Sequence, residues 1–477
     1  MTSRGAELRE QLRAILGPHG VVADEATTAY LTDHRHLYQG RALAVVRPAT
    51  VAEVAQVLTL CHAARVAVVP QGGNTSYCGG ATPDASGTQL VLSLERLKRI
   101  RSVDASNDSL IAEAGCTLAQ VQAAADAAER FFPLSLGSEG SCQIGANLST
   151  NAGGTNVLRY GMMRDLVLGL EVVLADGRVL ETLSTLRKDN TGYDLKALFL
   201  GAEGTLGIIT AASLKLFAKP RAHATALVAV PDVAAALALL ARLRAASSER
   251  VSSFELIPRS ALELAARHIE GVSDPLARAY PWYVLCELAA ARAAEALAPL
   301  LEETLAAALE SGEALDGVLA ASERERQALW RMRELIPEAQ RREGIGLKHD
   351  IAVPVGRLAE FVARAAPWIT AHVPDGRLVA YGHAGDGNLH FNISALPGAD
   401  APRFLARAAS VRRFVHDLVH ECGGSFSAEH GIGQLKVEEL ERYTSAVELE
   451  LMRAIKQTLD PCNIMNPGKV LAVRGRT

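Results

Sequence analysis

Three histidines, a glutamate and an asparagine fall in two short runs, Tyr381-Gly-His-Ala-Gly-Asp-Gly-Asn-Leu-His390-Phe-Asn392 and Ser427-Ala-Glu-His-Gly-Ile-Gly433. Their glycines let backbone and ligand come close together. Imidazoles from His383 and His390 with a carboxylate from Glu429 make a two-histidine, one-acid set with positions left open for substrate. That set suits Zn²⁺ and admits Mn²⁺ or Fe²⁺. His430 is left over as a base. The alternation Leu389-His390-Phe391-Asn392-Ile393-Ser394 reads as a strand, whose period of two puts His390 and Asn392 on one face. Asp386-Gly387 is equally a hairpin-turn signal, under which the histidines would be ordinary hydrogen-bonded polar groups.

These side chains need a large frame. A chain of 477 residues exceeds one compact core and points to two or three domains. With 49% apolar and 21% charged residues it has the composition of a globular protein. A net charge of −4 and no long Lys/Arg block argue against nucleic acid or an anionic membrane surface as main partner, and for small-molecule chemistry. The 7 cysteines are scattered, odd in number and form no C-x-x-C pair, which argues against a disulfide framework or zinc-thiolate knot and fits a reducing compartment. The start, Met1 to Glu10, carries acidic residues and no apolar core of a secretory signal. No apolar run approaches the ~20 residues of a membrane span. The expectation is a soluble, cytoplasmic protein.

Along the first half, Leu43 to Pro48 reads as a strand. Thr50-x-x-Glu53 reads as a capping box before a Val51 to Ala64 helix, and Val66 to Pro70 as a second strand. This β-α-β unit empties into Gln71-Gly-Gly-Asn-Thr-Ser-Tyr-Cys-Gly-Gly80, a loop whose backbone N–H groups suit an anion. It is neither the G-x-G-x-x-G fingerprint nor a P-loop, and a loop that only turns tightly is the other reading. Strands follow at Gln89 to Ser93 and Leu110 to Glu113, then a helix from Thr117 to Ala128. Two runs of small residues, Gly137 to Asn147 and Ser149 to Thr155, bring backbone close to something flat, such as a flavin and its pyrophosphate. Leu170 to Leu180 is a hairpin around Asp176-Gly177, and Leu198 to Thr210 adds a third small-residue turn and a strand. From Ala222, past Pro220, the texture changes to alanine-rich helices (Asp232 to Ala246, Ala289 to Ala308) around a strand at Trp282 to Cys286, read as a cap domain.

In order along the chain stand P-x-G-G-N-T-S, S-E-G-x-x-x-I-G-A-N, S-T-N-A-G-G, G-A-E-G-T-L-G-I-I-T, G-H-x-G-D-G-N-L-H, S-A-E-H-G-I-G and N-P-G-K. From about Ala42 to Leu471 the chain resembles FAD-linked D-2-hydroxyacid dehydrogenases of the vanillyl-alcohol-oxidase type. Its branch holds glycolate oxidase subunit, D-lactate dehydrogenase and D-2-hydroxyglutarate dehydrogenase. The resemblance implies an α+β fold: a vanillyl-alcohol-oxidase/PCMH-type FAD-binding domain (1–220), an α/β substrate or cap domain carrying the metal (221–440), and a C-terminal segment (441–477) packing back on the first domain. It implies noncovalent FAD, because Asn74 stands where covalent members carry histidine. The cofactor would lie on Pro70, Gln71, Gly72, Gly73, Asn74, Thr75, Ser76, Gly137, Ser138, Glu139, Gly145, Asn147, Ser149, Thr150, Gly153 and Gly154. Further contacts would come from Glu203, Gly204, Gly207, Ile208, Ile209 and Asn466. Lys469 reads as surface charge. Arg333 and Lys348 match residues that hold substrate carboxylates in D-2-hydroxyglutarate dehydrogenases, whereas Pro337 replaces the threonine that many of those enzymes carry.

The expected chemistry is oxidation of a 2-hydroxy acid. Hydride needs an acceptor that amino acids lack, hence a flavin whose N5 faces the substrate. A metal at His383, His390 and Glu429 would chelate and acidify the hydroxyl. His430 would take its proton and bind substrate, Asn392 would orient it, and Arg333 and Lys348 would fix carboxylate charge. Guanidinium pairing favours a dicarboxylate such as D-2-hydroxyglutarate, with D-malate also admitted, over lactate. A D-lactate or glycolate dehydrogenase, a flavin-free metal-dependent hydrolase and a non-catalytic flavin-binding subunit are the competing readings. By resemblance the electron acceptor is electron-transfer flavoprotein or a quinone, and a homodimer is compatible with the reading.

Overall fold

The β-α-β unit near the N-terminus forms as β1 (Ala44–Val46), the helix Val51–Ala64 and β2 (Val68–Gln71). Thr50 Oγ1 accepts the Glu53 N–H at 3.1 Å, while the Glu53 carboxylate accepts from Ala49 N–H at 2.8 Å, one residue further back than a capping box requires. Residues 3–473 are described in this computed structural model; Met1 and Thr2, where the N-terminal reading begins, and 474–477 lie outside them. A third strand, β3 (Leu90–Ser93), lies between β1 and β2 and parallel to both. Val54, Val57, Leu58 and Cys61 of the helix bury one face in the same core as strand residues Ala44, Val46, Val68, Leu90 and Leu92.

The chain then lays down β4 (Ile100–Asp104), β5 (Ser109–Glu113), β6 (Arg130–Phe131), β7 (Val167–Val173), β8 (Val179–Thr182), β9 (Ile208–Lys215) and β10 (Phe217–Ala218). Five of them make an antiparallel sheet ordered β4-β5-β9-β7-β8, and β6 pairs β10. The β7–β8 hairpin turns at Asp176-Gly177 as read. Gly177 has φ +88°, and a Cβ there would sit 2.0 Å from Thr59 Oγ1, so only glycine fits.

The second body contains β11 (Ala222–Val230), β12 (Val251–Pro258), β13 (Trp282–Ala290), β14 (Asp316–Leu319), β15 (Gly346–Leu347), β16 (Asp350–Ala352), β17 (Gly376–Tyr381) and β18 (Asn388–Ala395). One antiparallel sheet runs β12-β13-β11-β14 and is buried on both faces. Ala224, Ala226, Val228 and Val230 of β11 belong to one core, Leu227 and Ala229 to another. A second sheet centres on β18, which pairs β15, β16 and β17. Asp232 caps the helix Val233–Ser247 through Ala235 N–H at 2.8 Å. The helix expected from Ala289 begins only at Leu297. Ala289 and Ala290 instead end β13, opposite His223 and Ala222 of β11, because strand pairing overrides the helical preference of alanine.

The chain divides into one unit of residues 1–153, 162–219 and 429–477, and a second of 154–161 and 220–428. It returns to the first unit at Glu429, earlier than the expected 441. All seven cysteines are free, and no helix among the described residues is long and apolar enough to cross a membrane.

Candidate functional site

In the first unit the small-residue runs meet. A Cβ on Gly72 would stand 2.8 Å from Ala146 Cβ, and one on Gly73 2.1 Å from Ser141 O, so the loop after β2 lies directly on the segment 141–146. Gly204 closes on Pro70, where a Cβ would meet Cγ at 2.6 Å. Asn466, buried with φ +43°, stitches these pieces together: its N–H donates to Val68 O, and its Nδ2 donates to Gly80 O and Glu203 O, both at 2.9 Å.

Several residues expected at the cofactor use their side chains on the protein. Gln71 Nε2 donates to Tyr30 O and Ala81 O, and Asn74 Nδ2 to Ala29 O and Thr32 O, which fixes the loop. Glu139 accepts from Gln122 Nε2 and Leu136 N–H, and Ser149 and Thr150 hydroxyls bond back to Gly145 O and Ala146 O. Asn147 is buried with Nδ2 on Cys142 Sγ, and Ile208 and Ile209 are buried in β9. Gly137 and Ser138 lie in the turn ahead of the helix Ile144–Ser149, Gly153 follows that helix, and Gly207 immediately precedes β9. Gly154 falls in the second unit.

What remains fits a dinucleotide. The N–H groups of Gly72, Gly73, Asn74, Thr75 and Ser76 donate to no acceptor among the described residues, in a loop with Asn74 at φ +53°. Such a run is a cradle for phosphate oxygens. Gln143 Oε1 and Asn466 Oδ1 are buried without a hydrogen-bond partner, which a ligand with N–H or O–H donors would satisfy. Gln143 was not anticipated; it occupies a variable place in its motif.

Glu203 has a different task. Its carboxylate accepts from Ile432 N–H at 2.6 Å and Gly433 N–H at 2.8 Å, so it grips the loop that follows Glu429 and His430. Burial pushes its carboxyl up despite these two donors. Gly433 has φ +54°, and a Cβ there would meet Cys78 O at 2.1 Å. The His430 ring meets the Tyr77 ring edge-on at 4.7 Å, and a Glu429 carboxylate oxygen lies within 4.8 Å of a His430 nitrogen.

In the second unit the strand periodicity holds. Leu389, Phe391 and Ile393 of β18 enter the core, leaving His390 and Asn392 on the opposite face. The turn 382–387 joins β17 to β18 and carries His383, whose ring centroid lies 5.6 Å from that of His390. Gly382 pairs with Leu256 of β12 through both backbone bonds, at 2.8 and 3.0 Å, and next to Leu256 stands Glu255. Its Oε1 lies 2.6 Å from His383 Nδ1, and its Oε2 2.7 Å from Arg333 Nε and Nη2. Burial opposes ionisation of Glu255, but Arg333 and His383 hold its carboxyl at about 2. Asp350, opposite His390 in the β16–β18 pair, places a carboxylate oxygen within 4.8 Å of a His390 nitrogen.

Neither Glu255 nor Asp350 was anticipated, since each reaches the histidines only through strand pairing. Asp350 and His390 belong to a cluster of ligand-type side chains that could hold a metal ion, whereas His383, expected as a ligand, lies outside that cluster with its Nδ1 on Glu255; a carboxylate there makes Nε2 the nitrogen that could coordinate. Arg333 is buried, with Nε donating to Glu255, Nη2 making no hydrogen bond and the guanidinium 4.9 Å over Tyr381. Asn392 accepts from His349 N–H and donates to Gln340 Oε1, which leaves one N–H of its amide. Lys348 is exposed between β15 and β16. Pro337 sits in the first turn of the helix Ile336–Glu343, where a missing N–H costs nothing.

The model for the FAD binding domain matches residues 42–183, and that for the C-terminal domain of FAD linked oxidases matches residues 219–470. The chain is 41% identical over 440 residues to D-2-hydroxyglutarate dehydrogenase, mitochondrial, of Bos taurus, covering 91% of this chain and 77% of that protein. It is 38% identical to the protein of the same name from Arabidopsis thaliana, covering 96% and 80%. Among solved structures, p-cresol methylhydroxylase with substrate bound superposes with a TM-score of 0.75 at 17% identity, covering 98% of this chain and 97% of that one. The fold is therefore a PCMH-type FAD-binding domain with a C-terminal domain.

Proposed function

The chain belongs to the FAD-linked oxidases and is an FAD-dependent dehydrogenase, and from that premise we propose that it oxidises D-2-hydroxyglutarate, with D-malate as a second substrate, to the 2-oxo acid. The observation that carries this reading is the β17–β18 hairpin. It sets two imidazoles 5.6 Å apart, one of them fixed by a buried carboxylate, in a chain whose relatives bear that substrate in their names.

When bound, FAD supplies the hydride acceptor that side chains lack. Gly72 to Ser76 would hold its pyrophosphate, with Gln143 and Asn466 offering acceptors. A divalent metal, Zn²⁺ by preference, would be held by His383, His390 and Glu429, the residue next to Ala428, whose N–H donates to Asp350 O. It supplies the charge that makes a bound hydroxyl more acidic. His430 takes the hydroxyl proton, its ring restrained by Tyr77. Lys348 binds a substrate carboxylate. Arg333 and Asn392 offer substrate only the N–H groups that Glu255 and Gln340 leave over. Electron-transfer flavoprotein or a quinone is the acceptor in this reading.

The test is a panel of R and S 2-hydroxy acids with a dye acceptor. A charge-assisted contact to the distal carboxylate is worth about 1.5–3 kcal/mol, so kcat/KM for D-2-hydroxyglutarate should exceed that for D-lactate by roughly 10–100-fold. D-lactate or glycolate outrunning both dicarboxylates would refute the proposal.

A further inference from the structure

We propose that Glu255 is the positioning residue that sets His383 for metal binding, with Arg333 as the counter-charge that keeps this carboxylate in place. The inference rests on the reading of His383 as a metal ligand. Glu255 is 1% exposed and lies 128 positions from His383 in sequence, yet its Oε1 is 2.6 Å from the ring Nδ1. A carboxylate that accepts from Nδ1–H keeps the proton on that nitrogen and leaves the lone pair on Nε2, the atom a cation can take.

The backbone makes this geometry stiff. Leu256 and Gly382 exchange two hydrogen bonds, so β12 and the start of the histidine turn cannot slide past each other, and Glu255 stays opposite His383. A buried carboxylate needs a counter-charge. Arg333 provides it with two nitrogens at 2.7 Å, from a side chain only 6% exposed. The same guanidinium lies 4.9 Å over Tyr381, whose ring is 5.1 Å from His390. One buried Arg-Glu pair therefore backs both imidazoles, through Glu255 on one side and Tyr381 on the other. Arg333 Nε donates to Glu255, while Nη2 lies beside the same oxygen without a hydrogen bond, so the guanidinium acts on this carboxylate as one donor and a counter-charge.

The test measures metal rather than turnover alone. Holoenzyme, Glu255→Gln and Arg333→Lys are compared for metal content by mass spectrometry and for Zn²⁺ affinity by chelator competition, with flavin absorbance and Tm as controls of folding. Loss of such an outer partner typically weakens metal binding 10–100-fold. The expected result is that loss in both variants, with flavin retained and the activity of Glu255→Gln partly recovered at saturating Zn²⁺. Zn²⁺ affinity equal to wild type in Glu255→Gln overturns the proposal, whether or not Tm falls. A raised KM with unchanged Zn²⁺ affinity in Arg333→Lys overturns the role given to that arginine. A wild type that is metal-free and fully active defeats the metal reading itself, an outcome separate from the other two.

Discussion

Glu203 and Glu255 are both buried carboxylates near the histidine motifs, yet they hold different things. Glu255 holds a side chain, the His383 ring; Glu203 holds backbone, the N–H groups of Ile432 and Gly433. Replacing Glu203 by Gln turns one acceptor into a donor that faces an N–H. The expected cost is about 1–3 kcal/mol of stability, from the unsatisfied buried groups. Because that loop carries His430, kcat should fall while FAD content stays at wild-type level. Loss of FAD with normal kcat per bound flavin would return Glu203 to the cofactor. Residue types and spacing made the histidines legible, because the period-two alternation around His390 fixes its face. They did not reveal Glu255 or Asp350, which approach only once distant strands pair. Lys469, read as surface charge, is 4% exposed, and burial pushes its ammonium down; a lone lysine in N-P-G-K carries no mark of that.

Strands and their caps carry the next level of argument. Across β11 and β13, Glu287 accepts from Thr225 Oγ1 at 2.7 Å, Trp330 Nε1 at 2.8 Å and Arg326 Nη1 at 2.9 Å, with His223 Nδ1 at 3.2 Å. Burial opposes ionisation, but these partners hold its carboxyl at about 2, against 4.5 for the ordinary group. A folded pKa below the unfolded one means the stabilisation is fully present above pH 4.5 and is lost as pH falls toward 2. The depression corresponds to roughly 3 kcal/mol. Urea unfolding of wild type and Glu287→Gln should therefore show a gap of that order at pH 6 that shrinks by more than half at pH 2.5. A gap unchanged between the two would show that the pair does not stabilise the sheet through charge. The alanine-rich stretch that begins in β13 reads as helix in sequence because alanine suits either state and the strand partners of Ala289 and Ala290, His223 and Ala222, are distant in the chain.

At the scale of the whole chain, the loops that fit FAD and the histidine hairpin belong to different units. The small-residue loops that fit FAD at 72–76 and 143–147 belong to the first unit, and the His383–His390 hairpin belongs to the second. The family motifs made both places legible, whereas the division itself was less so: the first unit gathers three separate segments, and the short piece 154–161 joins the second. Such segment exchange has no composition signal, since each piece is packed by residues that look alike in sequence. Hydrogen exchange can read the assignment directly. A ligand at 100 times its Kd stabilises what it binds by about 2.7 kcal/mol, equivalent to roughly hundredfold slower exchange wherever opening requires release. Adding FAD to apoprotein should slow the amides of Gly72 to Ser76 and Gln143 to Asn147 and leave those of Gly382 to His390 nearly unchanged. Adding Zn²⁺ should do the reverse. Protection of the histidine hairpin by FAD alone, with Gly72 to Ser76 still exchanging freely, would place the dinucleotide outside the loops that the unpaired N–H groups and the buried Gln143 and Asn466 acceptors single out.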